Sequence, residues 1–289
     1  MMEQITIRPI TALADYERVE ALQREVWQFA NDTELVPVHL LKAVAENGGL
    51  LLGAFNAPGE LVGFVFGFLA QQEGRLKHHS HMMGVLPAYR DAGVGFRLKC
   101  AQRQALLAQG LEWATWTYDP LEGRNAYLNI HKLGVVCNTY LRNMYGELRD
   151  RLNVGIPSDR FQVDWWLRSQ RVEQRVRGEQ PRLTLAAALA AGAEAVNETR
   201  PAGRIRMPLG SKLDSRAASV LVEIPADFQA VKQTDLDVAR HWRLHTRGLF
   251  ERYFQAGYTA VEFISEAAAG ERRNFYLLAR AVQVAVRDW

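Results

Sequence analysis

A glycine-rich turn between a strand and a helix is the feature that most restricts how this sequence folds. Residues 79–85, HSHMMGV, are typical of a strand, and they lead into the turn LPAYRDAGVG. Beyond Gly95, apolar residues from Leu98 to Ala108 recur at helical spacing, and Gly110 is a natural helix end. Such a junction presents unpaired backbone amides and the positive end of a helix dipole, which together bind phosphate.

Three phosphate-binding motifs use such a junction, and two of them do not match this sequence. The dinucleotide motif requires G-x-G-x-x-G, but Leu98 occupies the third glycine position, and the Gly-Lys-Ser/Thr of the Walker motif is absent. The third motif is Arg-x-x-Gly-x-Gly after a strand that ends in Val-x-Pro. Here Arg90, Gly93 and Gly95 follow residues 85–87, Val-Leu-Pro, so the sequence matches this pattern.

The sequence around this turn predicts a mixed α/β domain. Apolar runs predict strands, a 3.6-residue apolar period predicts helices, and the dipeptide Pro58-Gly59 marks a hairpin turn. The early strands should pair antiparallel, and the helix after Gly95 should make a right-handed crossover to a parallel strand. In chain order we predict a strand at 4–10, a helix at 13–27, strands at 49–56, 61–70 and 77–86, the helix after Gly95, a strand at 111–120, a short helix at 124–134, and strands at 135–145 and 161–168.

Three segments are predicted along the chain. Residues 1–168 form the first domain, and residues 169–217, which are polar and rich in turn formers around LAAALAAGAEAV, form a connecting segment with one helix. Residues 218–289 read as strand, helix, strand, strand, the order also seen at 111–167, so a degenerate half-repeat is one interpretation. The predicted fold class is α/β (α+β), a mixed central sheet flanked by helices with the C-terminal segment packed on it.

Composition limits the classes of function. Of 289 residues 48% are hydrophobic and 23% charged, which suits a globular protein with a sizeable core, and a net charge of +3 is too small to favour nucleic acid. Cys100 and Cys137 are too few for a disulfide framework or a cysteine zinc site. With no signal peptide and no apolar run long enough to span a membrane, we expect a cytoplasmic protein that binds neither membrane nor nucleic acid.

Two motifs together resemble the GNAT superfamily of acyl-CoA-dependent N-acyltransferases. GVLPAYRDAGVG resembles the family's pyrophosphate loop, and NAYLNIHKLGV resembles its next motif, an Asn followed by a helix that ends in Lys-Leu-Gly-Phe. The resemblance covers residues 3–168 and implies acetyl-CoA by default, or another acyl-CoA such as succinyl-CoA, bound between two splayed parallel strands. The implied cofactor-binding residues are Gly84, Val85, Leu86, Arg90, Ala92, Gly93, Val94, Gly95, Asn125, Asn129 and Lys132.

The second motif departs from the family at its usual proton donor. Many members of the superfamily carry a Tyr four residues before the Gly of Lys-Leu-Gly, and this Tyr protonates the leaving CoA thiolate. Here the glycine is Gly134, so the position is Ile130, which has no proton to give. Tyr127, Asn129 and Tyr140 are the candidate replacements. Protonation by water and loss of catalysis are the alternatives that stay open.

A general base has to take the proton of an attacking amine, and a group that titrates near pH 7 suits this step. His79 and His81 share one face of a strand, because side chains alternate, and His81 lies closer to the glycine-rich turn. His81 is the first candidate and Asp119 and Glu122 are the second; an ordinary strand histidine and turn-capping carboxylates are the structural alternatives. A two-histidine metal site lacks an obvious third ligand, so we expect no metal.

Guanidinium groups are the candidates for binding the acceptor. Arg243 and Arg247 lie one helical turn apart, and their planar forks suit an acceptor carboxylate, although a solvated helix face is the simpler interpretation. Arg142 and Asp119 complete the predicted substrate-binding residues.

Two functions of different classes follow. The first is an N-acyltransferase that moves an acyl group from acyl-CoA to the amine of a small molecule, for example an amino acid, by direct attack. The second, which Ile130 motivates, is a non-catalytic acyl-CoA-binding or interaction module. Packing within the chain or across a homodimer would cover the apolar face expected for the C-terminal segment.

Overall fold

The computed structural model describes residues 4–29, 32–146, 155–268 and 270–280. These residues form two compact units, one that extends to Trp116 and one that begins at Thr117. The division falls within a strand and does not coincide with the expected bounds at 168 and 217. Within the described ranges, no helix combines the length and the apolar character needed to cross a membrane.

The first unit contains a five-stranded sheet and three α-helices. Its strands are β1 Thr6–Pro9, β2 Leu50–Phe55, β3 Leu61–Gln72, β4 Arg75–Val85 and β5 Trp113–Tyr118, the last two residues of which belong to the second unit. Its helices are α1 Leu13–Trp27, α2 Val38–Glu46 and α3 Val94–Ala108. The sheet follows chain order, with antiparallel pairs except for β4 and β5, which are parallel as predicted.

Apolar side chains cover both faces of this sheet. Helices α1 and α2 pack through Tyr16, Leu22 and Leu41 on one face, and α3 packs through Leu98 on the other. Burial of such a side chain contributes roughly 1.5–3 kcal/mol. The sequence analysis did not predict α2, a helix of nine residues of which Leu41 is fully buried.

The second unit contains eight strands and five α-helices in its described residues. The strands are β6 Val136–Leu141, β7 Arg160–Trp166, β8 Glu194–Ala195, β9 Asn197–Ala202, β10 Ile205–Ser211, β11 Ser219–Ile224, β12 Tyr258–Ala268 and β13 Glu271–Arg280. The helices are α4 Gly123–Ala126, which continues as the π-helix Tyr127–Lys132, then α5 Gln170–Val176, α6 Leu185–Ala190, α7 Phe228–Thr234 and α8 Leu236–Gln255. One sheet has the order β7-β6-β12-β13-β11-β8, and β9 pairs with β10 alone.

Two antiparallel hairpins meet in the middle of the larger sheet of the second unit. Strands β6 and β7 form one, β12 and β13 form the other, and Cys137 of β6 faces Ala260 of β12. Each hairpin follows a helix and a glycine in the left-handed region, Gly134 with φ 74° and Gly257 with φ 82°. The half-repeat stays a prediction, and residues 281–289 of the expected segment lie outside the described residues.

Residues 169–217 hold more structure than predicted, so the expectation of a connection with one helix was wrong. They form α5, α6, β8 and the β9–β10 hairpin. Side-chain contacts hold this hairpin: Arg206 Nε donates to Thr199 Oγ1 at 2.9 Å, Arg206 Nη1 donates to Glu271 Oε2 at 2.8 Å, and Trp242 Nε1 donates to the Arg206 carbonyl at 2.8 Å. Polar strands held by distant partners carry no local apolar pattern, which is why the sequence did not reveal them.

Candidate functional site

The strand β4 contains a β-bulge at His81. Against β3, Gly67 faces Ser80 and Phe66 faces Met82, so His81 is an extra residue in β4. A bulge bends its strand and redirects the side chains around it, and bulges are over-represented beside active sites.

Beyond the bulge, β4 and β5 separate. In the described part of the chain, His78 and His79 are the residues of β4 that pair with β5, against residues 114–115. From Ser80 to Val85, β4 pairs with β3 on one side, and among the described residues no strand pairs with its other edge, which we call the free edge. An extended ligand that carries amide groups can add to such an edge as a strand would.

The free edge leads into the N-terminus of α3. Residues 87–92 form a 3-10 turn, Gly93 follows with φ 74°, and α3 begins at Val94 with no side chain capping it. An uncapped helix of 15 residues leaves N-terminal amides and a partial positive charge available to an anion. Of the predicted ligand residues, Leu86 donates its amide to the Val62 carbonyl at 3.0 Å, and the exposed Arg90 donates through Nε to the Val85 carbonyl at 3.2 Å.

His79 and His81 lie together beside Phe68. The ring centroids of Phe68 lie 5.3 Å from His79 and 5.9 Å from His81, and the two imidazoles are 6.2 Å apart. Desolvation lowers the pKa of His79 to about 4, with the charge of His81 as the second cause, and desolvation also lowers the pKa of His81. The lowered pKa leaves His81 uncharged at neutral pH, which is the form that accepts a proton.

The second sequence motif, for which a short helix was predicted, forms α4 and then a π-helix. Leu133 N donates to Leu128 O at 2.9 Å, the five-residue spacing of a π-helix. Within this π-helix, Ile130 is fully buried and Asn129 is 5% exposed. Counting residues back from Gly134 in the sequence therefore did not establish which side chain of the motif is exposed.

A carboxylate-bound histidine in this π-helix was missed at the level of the sequence. His131 Nδ1 lies 3.0 Å from Glu262 Oε1, Arg175 Nη2 donates to Glu262 Oε2 at 2.6 Å, and the ring of Tyr127 stacks on His131 at 4.7 Å. Desolvation acts to raise the pKa of Glu262, but the hydrogen bonds from His131 and Arg175 outweigh it and hold that pKa below its usual value. A lone Glu262 within the apolar strand TAVEFIS was the available signal.

Asp119 and Arg243, both predicted to bind substrate, bind each other. Arg243 is 1% exposed, and its two terminal nitrogens contact the two carboxylate oxygens of Asp119, with Nη1 2.9 Å from Oδ1. Leu121 N also donates to Asp119 Oδ1 at 2.9 Å. Burial acts to raise the pKa of Asp119, but the charge and hydrogen bonds of Arg243 hold it below its usual value. Arg243 therefore already binds a carboxylate of the protein, whereas the predicted clamp requires it to bind a carboxylate of the substrate.

The other predicted arginines also have internal partners. Arg247 donates to both oxygens of Asp159 at 2.8 and 2.9 Å, and Tyr140 OH donates to Asp159 Oδ2 at 2.7 Å. Burial raises the pKa of Tyr140; the charge of Arg243 opposes this effect, and the charge of Asp159 adds to it. Arg142 Nη2 donates to Glu251 Oε2 at 2.6 Å on the surface. Substrate binding by these groups stays a prediction, and it would require that these partners be exchanged.

The remaining candidates are dispersed. Glu122 is half-buried and accepts a hydrogen bond from Gln229 Nε2, and burial, followed by the charge of Asp119, raises its pKa. Asn125 and Lys132 are exposed. Among the described residues, no cluster of three or more His, Cys, Asp or Glu side chains has a geometry that could hold a metal.

No protein-family model matches the chain, and neither does any curated protein. Among solved structures, the chain is similar to NAA60 of Arabidopsis thaliana in complex with a bisubstrate analogue, at 16% identity and TM-score 0.46 over 56% of this chain and 99% of the other. An acetyltransferase of the GNAT family from Streptococcus pneumoniae is 16% identical, with TM-score 0.44 over 56% of this chain and 98% of the other.

A third similar structure is the GNAT family N-acetyltransferase YhbS of Escherichia coli in complex with CoA. It is 23% identical, with TM-score 0.35 over 41% of this chain and 64% of the other.

Removal of Arg243 tests whether it is a structural partner of Asp119. Arg243→Met removes the cation that is hydrogen-bonded to the buried Asp119 carboxylate and leaves Arg160, 3.8 Å from Asp119 Oδ2, as a more distant counter-charge, so the free energy of unfolding should fall by up to about 3–5 kcal/mol. The double variant Asp119→Leu/Arg243→Met should recover most of this loss. Denaturant unfolding measures the free energy of unfolding of both variants. Arg142→Met, which removes an exposed ion pair, should lower it by less than about 1 kcal/mol. An Arg243→Met protein of wild-type stability would contradict the structural role.

Proposed function

We propose that this chain is an acyl-CoA-dependent N-acyltransferase that moves an acyl group, acetyl by default, to the amine of a small molecule. One observation carries the proposal: the free edge of β4 beyond the bulge at His81 leads directly into the uncapped N-terminus of α3. All of these elements lie in the first unit. They supply, in sequence, a backbone ladder and an anion site, which are what a pantetheine arm and a pyrophosphate require.

The dimensions and polarity of this site suit acyl-CoA. The free edge from Ser80 to Val85 is about 20 Å long at 3.3 Å per residue, which gives an extended amide-bearing arm room to lie along it. The pyrophosphate would bind the amides around Gly93 to Gly95, and the pantetheine would pair with β4 near Gly84. Asn125, Asn129 and Lys132 stay predicted contacts of the same ligand.

Acyl transfer then needs a base and a route for the leaving thiolate. The acceptor nitrogen forms a bond to the thioester carbon, the carbon–sulfur bond breaks, and His81 takes the amine proton. The lowered pKa of His81 keeps the imidazole free to do so at neutral pH. Among the predicted proton donors, Tyr140 donates its hydroxyl to Asp159, and Tyr127 and Asn129 stay predictions.

The alternative function, a non-catalytic acyl-CoA-binding module, shares the first site and differs only in turnover. Incubation of the protein with acetyl-CoA or succinyl-CoA and a panel of amino acids, small amines and peptide amines distinguishes the two. Release of CoA thiol that depends on the amine supports the transferase. Binding of CoA without such release by any member of the panel supports the module.

The anion site at α3 can be tested with two matched glycines. Gly93 and Gly110 flank the same helix with φ 74° and 78°, and an added Cβ at either position would meet no atom within 4 Å. Gly93→Val and Gly110→Val should therefore cause similar backbone strain, of order 1–2 kcal/mol. Only Gly93→Val should also weaken CoA binding, at least tenfold or about 1.4 kcal/mol by calorimetry. Unchanged CoA affinity in a folded Gly93→Val protein would show that CoA does not bind at the N-terminus of α3.

The role of His81 can be tested through the pH dependence of turnover with an amine selected from the panel. Because the pKa of His81 lies below 6.5, the ascending limb of kcat/KM should have its midpoint below pH 6.5. His81→Ala should lower turnover by roughly 10²–10⁴-fold, abolish that limb and retain CoA affinity. His39→Ala, at an exposed histidine, is the control. An active His81→Ala protein with the same limb would exclude His81 as the base.

A further inference from the structure

A cluster of aromatic rings lies around His81 on one face of the sheet of the first unit. The ring centroids of Phe66 and Phe68, both on β3, lie 6.1 Å and 5.9 Å from that of His81, and the centroid of His79 lies 5.3 Å from that of Phe68. Aromatic pairs interact favourably at such separations. We call Phe66, Phe68, His79 and His81 the ring cluster.

The ring cluster continues the apolar core onto the surface. Phe66 is 2% exposed and packs in the core with residues of α1 and α2, whereas Phe68 and His79 are half-buried and His81 is exposed. The two helices therefore cover this face of the sheet as far as Phe66 and leave the other three rings accessible. Ligand sites are typically lined by aromatic side chains with a few polar groups among them, and the two imidazoles supply polar groups here.

Trp27, the last residue of α1, covers the same face nearer the glycine-rich turn. It lies over Gly84 on β4, where an added Cβ would be 3.1 Å from Trp27 Cη2 and 3.0 Å from Phe64 Cε1. The ring centroids of Trp27 and Phe64 are 6.1 Å apart in an edge-to-face arrangement. The face is thus filled at this end, and its accessible part is the ring cluster.

The ring cluster lies where acyl transfer would take place. With the pyrophosphate at α3 and the pantetheine along the free edge, the thioester would come to the end of that edge at Ser80, next to His81. Phe66 and Phe68 belong to β3, which pairs with the opposite edge of β4. A group on these rings therefore reaches the thioester from across His81, as the acceptor must if His81 takes its proton.

We propose that the acceptor is a primary amine that carries an aromatic ring one or two carbons from its nitrogen, and that Phe68 and His79 bind this ring. The short linker follows from the 5.9 Å between the ring centroids of Phe68 and His81, because a ring against Phe68 and an amine at His81 must belong to one molecule. This acceptor class rests on the proposed function and narrows its range of amines. Phe68 sets specificity and takes no part in the chemistry.

The charge state of the ring cluster suits such an amine. An alkylamine is protonated at neutral pH and arrives as a cation. Desolvation lowers the pKa of His79 to about 4, so His79 is uncharged at neutral pH and does not repel this cation. The face of an aromatic ring attracts a cation, so Phe68 favours the ammonium group on approach and the aromatic ring once the nitrogen has reached His81.

The neighbouring residue of β3 provides a matched control. Leu69 is 43% exposed, and it pairs with His78, whereas Phe68 pairs with His79. Because side chains alternate along a strand, Leu69 lies on the other face of the sheet. Phe68→Ala and Leu69→Ala both remove an accessible apolar side chain from this part of β3, and only Phe68→Ala changes the ring cluster.

The experiment measures kcat and KM of the full chain with acetyl-CoA and either benzylamine or ethanolamine, which carries a hydroxymethyl group in place of the phenyl ring. Wild-type kcat/KM should be higher for benzylamine by roughly 10- to 100-fold, the ratio expected from burial of one aromatic ring. Phe68→Ala should raise the KM for benzylamine about tenfold with kcat retained, and leave the KM for ethanolamine and for acetyl-CoA unchanged. Phe68→Tyr, which keeps the ring, and Leu69→Ala should match the wild type.

Three results would overturn this acceptor class. They are a wild-type protein that uses ethanolamine as well as benzylamine, an unchanged KM for benzylamine in Phe68→Ala, and a Phe68-dependent preference for phenylacetyl-CoA over acetyl-CoA with ethanolamine as acceptor, which would place the acyl chain on the rings. Failure to bind CoA, or binding of CoA without turnover of any amine, would instead overturn the proposed transferase and the acceptor class with it. The two failures are therefore distinguishable.

Discussion

The separation of β4 from β5 at the His81 bulge is the constraint on which the first unit's chemistry depends. Backbone amides and carbonyls that stay unpaired in a sheet cost free energy unless water or a ligand satisfies them. Here two residue pairs hold the strands together, and the rest of β4 presents its edge. The same bend brings the strand into the 3-10 turn and the uncapped helix, so one backbone feature generates both halves of the proposed acyl-CoA site.

The second unit differs from the first in how its charged side chains are arranged. Its buried charges are satisfied within the protein, as Asp119 with Arg243, Asp159 with Arg247 and Tyr140, and Glu262 with Arg175 and His131. Desolvation makes such pairs costly to break, so they fix one arrangement of helices and strands rather than await a ligand. The C-terminal strands and helices therefore stabilise the region after β5, through side chains that local sequence patterns do not connect.

Much of the first unit could be predicted from the sequence because its signals are local. Apolar runs gave β2 to β5 and the helical period gave α1 and α3, while Gly93 and Gly95 marked the turn. The arginine partners could not be predicted, because Arg243 and Asp119 are 124 residues apart and a one-turn arginine pair looks the same in solvent and in a core. The π-helix that contains Ile130 could not be predicted either, because amino-acid composition does not distinguish a π-helix from an α-helix.

Amide hydrogen exchange with and without CoA tests the central claim, that the free edge of β4 and the N-terminus of α3 form one ligand site. At saturating CoA, peptides that cover residues 80–97 should become protected. Peptides from the β3–β4 hairpin tip around Gly74, at the opposite end of β4 from α3, should not change. Protection elsewhere with residues 80–97 unaffected, or no protection by CoA anywhere, would contradict the account.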